Sequence, residues 1–152
     1  EPNIGTKRVD DAAYGFRAAV NASLLAAGTP LDEILRSDPG AQFARPLFDR
    51  QQHLTNHEGP WGYGCINGRS VPDRFVEVFP LAPDVEEVVL ASDGFPDLRT
   101  TLEASEIRLR ELLEIDPAAI AELWAAGKAL RPGANSFDDR AYLRVARREG
   151  GE

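Results

Sequence analysis

The chain has no methionine, one cysteine and two histidines in 152 residues, and it has no apolar run long enough to cross a bilayer. Each scarcity narrows the field. The lone Cys65 rules out an internal disulfide framework and favours a reducing compartment, so a cytoplasmic location is expected, and no stretch reads as a signal peptide. His53, His57 and Cys65 invite a zinc reading, but a fourth ligand is missing and the histidine pair straddles a predicted helix end. Basic residues are short as well. Lys and Arg number 17 against 25 Asp and Glu, a net charge of −8. That field repels phosphate backbones, so neither a nucleic-acid nor a membrane partner is expected, whereas local acidity suits cations. With no methionine anywhere, and a first residue, Glu1, too large to be exposed by ordinary removal of an initiator, a processed or partial chain is expected.

What is present reads as globular. Hydrophobic residues make up 43% and charged residues 28%, a balance that fits a single domain with a real core. There is no internal repeat. Residues 1–152 are expected to form one domain or the C-terminal part of one, with a helical segment at 10–54 and a β/α core at 62–145.

Residues 1 to 8 show no periodicity. From Asp10 to Ala27, Ala13, Phe16, Val20, Leu24 and Ala27 recur at helical spacing, and Gly28 stops the run. Thr29-Pro30-Leu31-Asp32 is a helix start, and the short helix ends by Asp38-Pro39-Gly40. A third helix is predicted from Phe43 to Leu54. The texture then turns rich in glycine and aromatics, with Asn67-Gly68 a hairpin pair, so strands are predicted at 63–66 and 75–79, with Cys65 as a small core residue of the first. These lead by short turns into Val88-Val89-Leu90-Ala91, a run expected to be a strand buried on both faces, and together the three predict an antiparallel meander. Thr100-Thr101-Leu102-Glu103 has capping-box spacing ahead of a helix with Leu102, Leu109, Leu112 and Leu113 on one stripe. Asp116-Pro117 predicts a further helix carrying Ile120, Leu123 and Trp124, and a last strand follows at 141–145. The charged tail from Ala146 to Glu152 is expected to fray.

Two acidic sites share one context. Asp93 stands where the central strand ends, beside Gly94, whose conformational freedom suits a sharp turn. Asp138 and Asp139 stand where the last strand begins. If those strands are antiparallel neighbours, their carboxylates meet at one sheet edge, and like charges that close call for a cation, with hard oxygen donors suited to Mg²⁺ or Mn²⁺. The plainer reading makes Asp138 and Asp139 loop acids paired with Arg140.

VVLASDGFPDL, followed roughly forty residues later by SFDDRAYLRV, resembles the C-terminal half of the metal-dependent protein phosphatases, the type 2C serine/threonine family. The resemblance covers residues 62–145, and its two motifs occur in the right order, spacing and context. It implies that Asp93 and Asp138 are metal ligands, that Gly94 is the turn residue of the first motif, and that Asp139 falls where the family often has asparagine, a variant found in bacterial members, with its role open. It also implies an α+β fold in which an antiparallel β-sandwich is flanked by helices in α-β-β-α layers, of which this chain would supply the C-terminal half. The activity implied is hydrolysis of a phosphorylated protein or small phosphoester, by water activated between two Mn²⁺ or Mg²⁺ ions and attacking phosphorus in line.

The family's earlier Glu-Asp, Asp-Gly and Gly-Asp elements are not found here, and Asp10-Asp11 lacks the glycine and lies at a predicted helix start. An N-terminal half of the same domain is therefore the partner the resemblance implies, and the chain alone is expected to have little or no activity. The competing class is a non-catalytic phosphatase-like interaction module that binds a partner through residues 10 to 54. Other signals are set aside. Arg140, Arg144, Arg147 and Arg148 read as a solvated strand face, Trp61, Tyr63 and Phe79 read as core aromatics, and Gly59 to Gly68 lacks the lysine and spacing of a phosphate-binding loop.

Overall fold

The computed structural model describes residues 8–147, so the expectations for residues 1–7 and 148–152, Arg148 among them, lie outside the described residues. The elements are α1 (Arg8–Ala26), α2 (Leu31–Ser37), α3 (Pro39–Arg50), β1 (Glu87–Ala91), α4 (Leu102–Ile115) and β2 (Tyr142–Ala146), with 3-10 turns at Gln51–Leu54, Asp73–Phe75 and Trp124–Ala126. This is an α+β chain in which helix predominates and the strands form one two-stranded antiparallel sheet. No helix among the described residues is long and apolar enough to cross a membrane.

The first three helices are held together by a buried polar hub. Asp38 ends α2 and caps α3 from a left-handed conformation (φ 40°), a geometry that short polar side chains tolerate best after glycine. Its carboxylate accepts from Arg17 Nε (3.1 and 3.0 Å), Asn21 Nδ2 (2.8 Å), and the backbone N–H groups of Ala41 (3.3 Å) and Ala129 (3.0 Å). Arg17 is fully buried on α1, and the rest of its fork donates to the carbonyls of Ala119 (2.8 Å) and Ala118 (2.9 Å). A buried charge is tolerable only when so completely paired. Gly40 lets α3 approach, since a Cβ there would stand 2.2 Å from the Arg17 carbonyl oxygen. The buried positions of α1 are thus Val9, Ala13, Arg17, Ala18 and Asn21, and Phe16, expected on the apolar stripe, is 52% exposed. The helix is rotated from its apolar periodicity because the hub buries its polar residues. The third helix also starts earlier than predicted, at Pro39, and carries Pro46 in its interior.

The apolar core is built on α4. Leu109, Leu112 and Leu113 pack with Ala119, Leu123 and Phe137, while Leu102 lies outside at 47% exposure. Thr101 is the N-cap, its Oγ1 accepting from Ala104 N–H at 3.2 Å, one residue beyond the predicted cap. The helix predicted after Asp116 does not form. Instead the buried Asp116 carboxylate accepts the N–H groups of Ile120 (2.9 Å), Ala121 (2.8 Å) and Leu123 (2.9 Å). Donors captured by a side chain are lost to a helical ladder, and the segment closes into a compact loop with Ala119 at φ 49°.

The meander is also corrected. Residues 63–66 and 75–79 are not strands. Tyr63 forms only an isolated bridge with Thr55, and Asp73–Phe75 is a 3-10 turn behind Pro72. Cys65 is exposed, not a core residue. Without those strands β1 has a single partner among the described residues, and it is not buried on both faces. Val88 stands opposite Val145 and Leu90 opposite Leu143, so these four side chains share one face, on which Leu90, Leu143 and Val145 are each more than half exposed.

Candidate functional site: an acidic sheet edge

The pairing of β1 with β2 brings the end of one strand beside the start of the other. Ser92, just past β1, donates its N–H to the Ala141 carbonyl (3.0 Å), and its Oγ accepts from Ala141 N–H (2.9 Å). A Cβ on Gly94 would lie 2.3 Å from the Asp139 carbonyl oxygen. Gly94 is not among the residues with positive φ. Its requirement is therefore close backbone approach rather than the unusual dihedrals expected of it.

A buried aromatic stands close in sequence to each of Asp93 and Asp138. Phe95, two residues beyond Asp93, is buried and packs edge-on against Tyr142 (6.3 Å between centroids, 78°), whose hydroxyl donates to the Thr100 carbonyl at 3.0 Å. Phe137, directly before Asp138, belongs to the α4 core. The acids therefore sit on loops whose adjacent residues are anchored, the arrangement expected where a scaffold positions polar groups.

Asp93 is exposed. Asp138 is half-buried, and its Oδ1 accepts from Lys128 Nζ (2.9 Å) and from Asp139 N–H (2.9 Å). The Lys128 ammonium holds the Asp138 carboxyl below the usual carboxylate range, against a smaller upward push from burial. The partner expected for these acids, Arg140, instead pairs with Glu106 (3.4 Å). Asp139 is exposed, and its backbone carbonyl accepts from Ser92 Oγ (3.4 Å).

A third element faces this edge. Tyr14 of α1 packs beside Phe48 (5.8 Å), and its phenol is pushed up to about 12, first by burial and then by the charges of Asp10, Asp93 and Asp138. Asp10 and Asp11 lie in the first turn of α1, as the sequence predicts. Asp10, set aside as a ligand because no glycine follows it, thus adds charge to the same neighbourhood. Sequence reasoning missed Tyr14, Ser92 and Lys128. Ser92 alone carried a signal, as the residue joining strand to acid.

Hard carboxylate oxygens fit Mg²⁺ or Mn²⁺ in kind. They fall short in number, because among the described residues no group of three His, Cys, Asp or Glu side chains could hold a metal ion. Two carboxylates, one of them already paired with Lys128, make at most part of a coordination shell. His57 uses its Nδ1 to accept from Gly59 N–H (2.9 Å), a local turn contact. No protein family, curated protein or solved structure matches this chain.

Proposed function

We propose that this chain contributes an acidic edge, Asp93 and Asp138, to a metal-dependent phosphoester hydrolase of the type 2C protein phosphatase kind, acting on a phosphorylated protein or small phosphoester. The observation that carries the reading is the antiparallel register of β1 and β2, which brings the two sequence motifs together at one end of one sheet. In this account Asp93 and Asp138 donate carboxylate oxygens to Mn²⁺ or Mg²⁺, Gly94 keeps the two strand ends in contact, and Asp139 orients the edge through its backbone. The ion would supply an activated water and neutralise phosphoryl charge. Lys128 must release Asp138 for that role.

The remaining ligands would come from outside the described residues. The exposed apolar face of Val88, Leu90, Leu143 and Val145 supports this, being what the second sheet of an α-β-β-α sandwich would cover. The exposed Cys65 is compatible with a reducing, cytoplasmic setting.

The test is substitution in the complete protein. Asp93→Asn or Asp138→Asn should abolish Mn²⁺-dependent hydrolysis of an aryl phosphate while leaving the circular dichroism spectrum unchanged. Unaltered turnover sinks the assignment. A second reading, a non-catalytic phosphatase-like interaction module, draws on the Lys128–Asp138 ion pair, which already engages the Asp138 carboxylate. It predicts that neither substitution changes Mn²⁺ affinity.

A further inference from the structure

A pocket of about 410 Å³ lies between α2, α3 and the loop that follows the Trp124–Ala126 turn, with Lys128 in its wall. Its lining includes Arg36, Arg45, Lys128 and Arg131 together with the apolar Leu35 and Phe48. Four cationic residues line one pocket in a chain whose net charge is −8, and three of them are paired with aspartates outside the lining, Asp32, Asp49 and Asp138. The one acid in the lining, Asp38, is already committed, its oxygens taken up by Arg17, Asn21 and two backbone N–H groups.

The arginines are only loosely held. Arg36 reaches Asp32 through one nitrogen (2.6 Å) and Arg45 reaches Asp49 through one nitrogen (2.6 Å), both pairs one turn apart on a helix and more than half exposed. Such pairs contribute little and exchange readily with a better anion. The Arg131 guanidinium is exposed and has no ion pair among the described residues. The Asp32 and Asp49 carboxylates each take a single nitrogen of their arginine, whereas a phosphate dianion presents three acceptor oxygens to several forks at once. The volume exceeds that of a phosphate group several times over, and Leu35 and Phe48 suit an organic substituent.

We infer that this pocket binds a phosphomonoester dianion carried on a small organic or peptide group, at a position separate from the acidic edge. Lys128 stands between the two, bonded to Asp138 and lining the pocket. A cation at Asp138 would free its ammonium for the anion, so the two occupancies favour each other. This coupling rests on the hydrolase reading, and the anion site itself does not.

The experiment is a calorimetric and NMR titration of the chain with phosphoserine blocked at both termini, in the presence of a metal chelator. Binding should perturb the amides of Gln42, Ala129 and Arg131. Arg131→Gln, at an exposed position, should weaken it by about tenfold, as should raising the salt from about 0.05 to about 0.5 M. Blocked serine should not bind, and inorganic phosphate should bind more weakly than the phosphoserine probe. Unchanged pocket amides, or full affinity in Arg131→Gln, would overturn the site, and equal affinity for inorganic phosphate would overturn the organic substituent. Because the chelator removes the acidic edge from the measurement, failure here and failure of the hydrolase reading are separable.

Discussion

The helical part of this chain and its sheet solve the same problem to different degrees. Around Arg17 and Asp38, polar groups drawn from α1, from the α2–α3 junction and from the loop after α4 are paired with one another, Arg17 and Asn21 fully buried and the Asp38 carboxylate largely so. The two-stranded sheet closes its hydrogen bonds along one seam, leaves an apolar face in solvent, and secures its other face with Tyr142 and the exposed Arg144–Glu87 pair. Two strands alone are marginal in water. The helical hub is therefore closed upon itself, and the sheet leaves an apolar face in solvent beyond the acids. Stability and candidate chemistry live in different places.

That contrast predicts a graded response to mutation. The largest effect belongs to the hub. Arg17→Met strands the Asp38 carboxylate and should cost about 3–5 kcal/mol, the range for breaking a buried pair, read as a fall in the urea midpoint. Asp116→Ala comes next. It orphans three N–H groups in a buried loop and should cost on the order of 3 kcal/mol, whereas retained stability would mean that water replaces the carboxylate. Gly94→Ala should cost about 1–3 kcal/mol, as overpacking does. Its mark should be local, with faster hydrogen exchange at Ser92 and Ala141 and unchanged protection at Gly40. If protection falls evenly, the two regions unfold as one and the contrast fails.

A smaller effect sharpens the electrostatics of the edge. Asp138 titrates below the ordinary carboxylate range because Lys128 stabilises its charged form. Its contribution to stability is therefore present above about pH 4, the unfolded value, and is lost as pH falls through the lower folded value. Lys128→Gln should return the Asp138 carboxyl towards its usual value in a carbon-detected NMR titration. Smallest of all, Leu90→Thr with Leu143→Thr should scarcely move the midpoint of this chain, because both side chains are more than half exposed. In a protein where a second sheet covers that face, the same pair should be strongly destabilising.

Local signals carried much of the fold. The breaks at Gly28 and Asp38, the leucine stripe of α4 and the run from Val88 to Ala91 were legible because capping chemistry and apolar periodicity act within a few residues. The hub was not legible, since Arg17 and Asn21 lie outside the apolar spacing of α1 and meet Asp38 only in the fold. The loop after Asp116 failed as a helix for a related reason: an aspartate before proline looks like a cap, and nothing local tells that its carboxylate will collect three N–H groups. Alternation at residues 75–79 met no partner strand and produced no sheet, because strand propensity expresses itself only through neighbours. At the edge, Asp93, Gly94 and Asp138 were legible as motif residues, whereas Lys128 and Tyr14 arrive from distant parts of the chain.

The most direct test of the acidic edge is a Mn²⁺ titration of the isotopically labelled chain, followed by paramagnetic broadening of its NMR signals. The account predicts that Asp93, Gly94, Asp138 and Asp139 broaden first, with Tyr14 close behind, and that Asp93→Asn removes this preference. Broadening spread evenly over surface acids such as Asp32, Asp49 and Glu111, or a pattern untouched by Asp93→Asn, would contradict it.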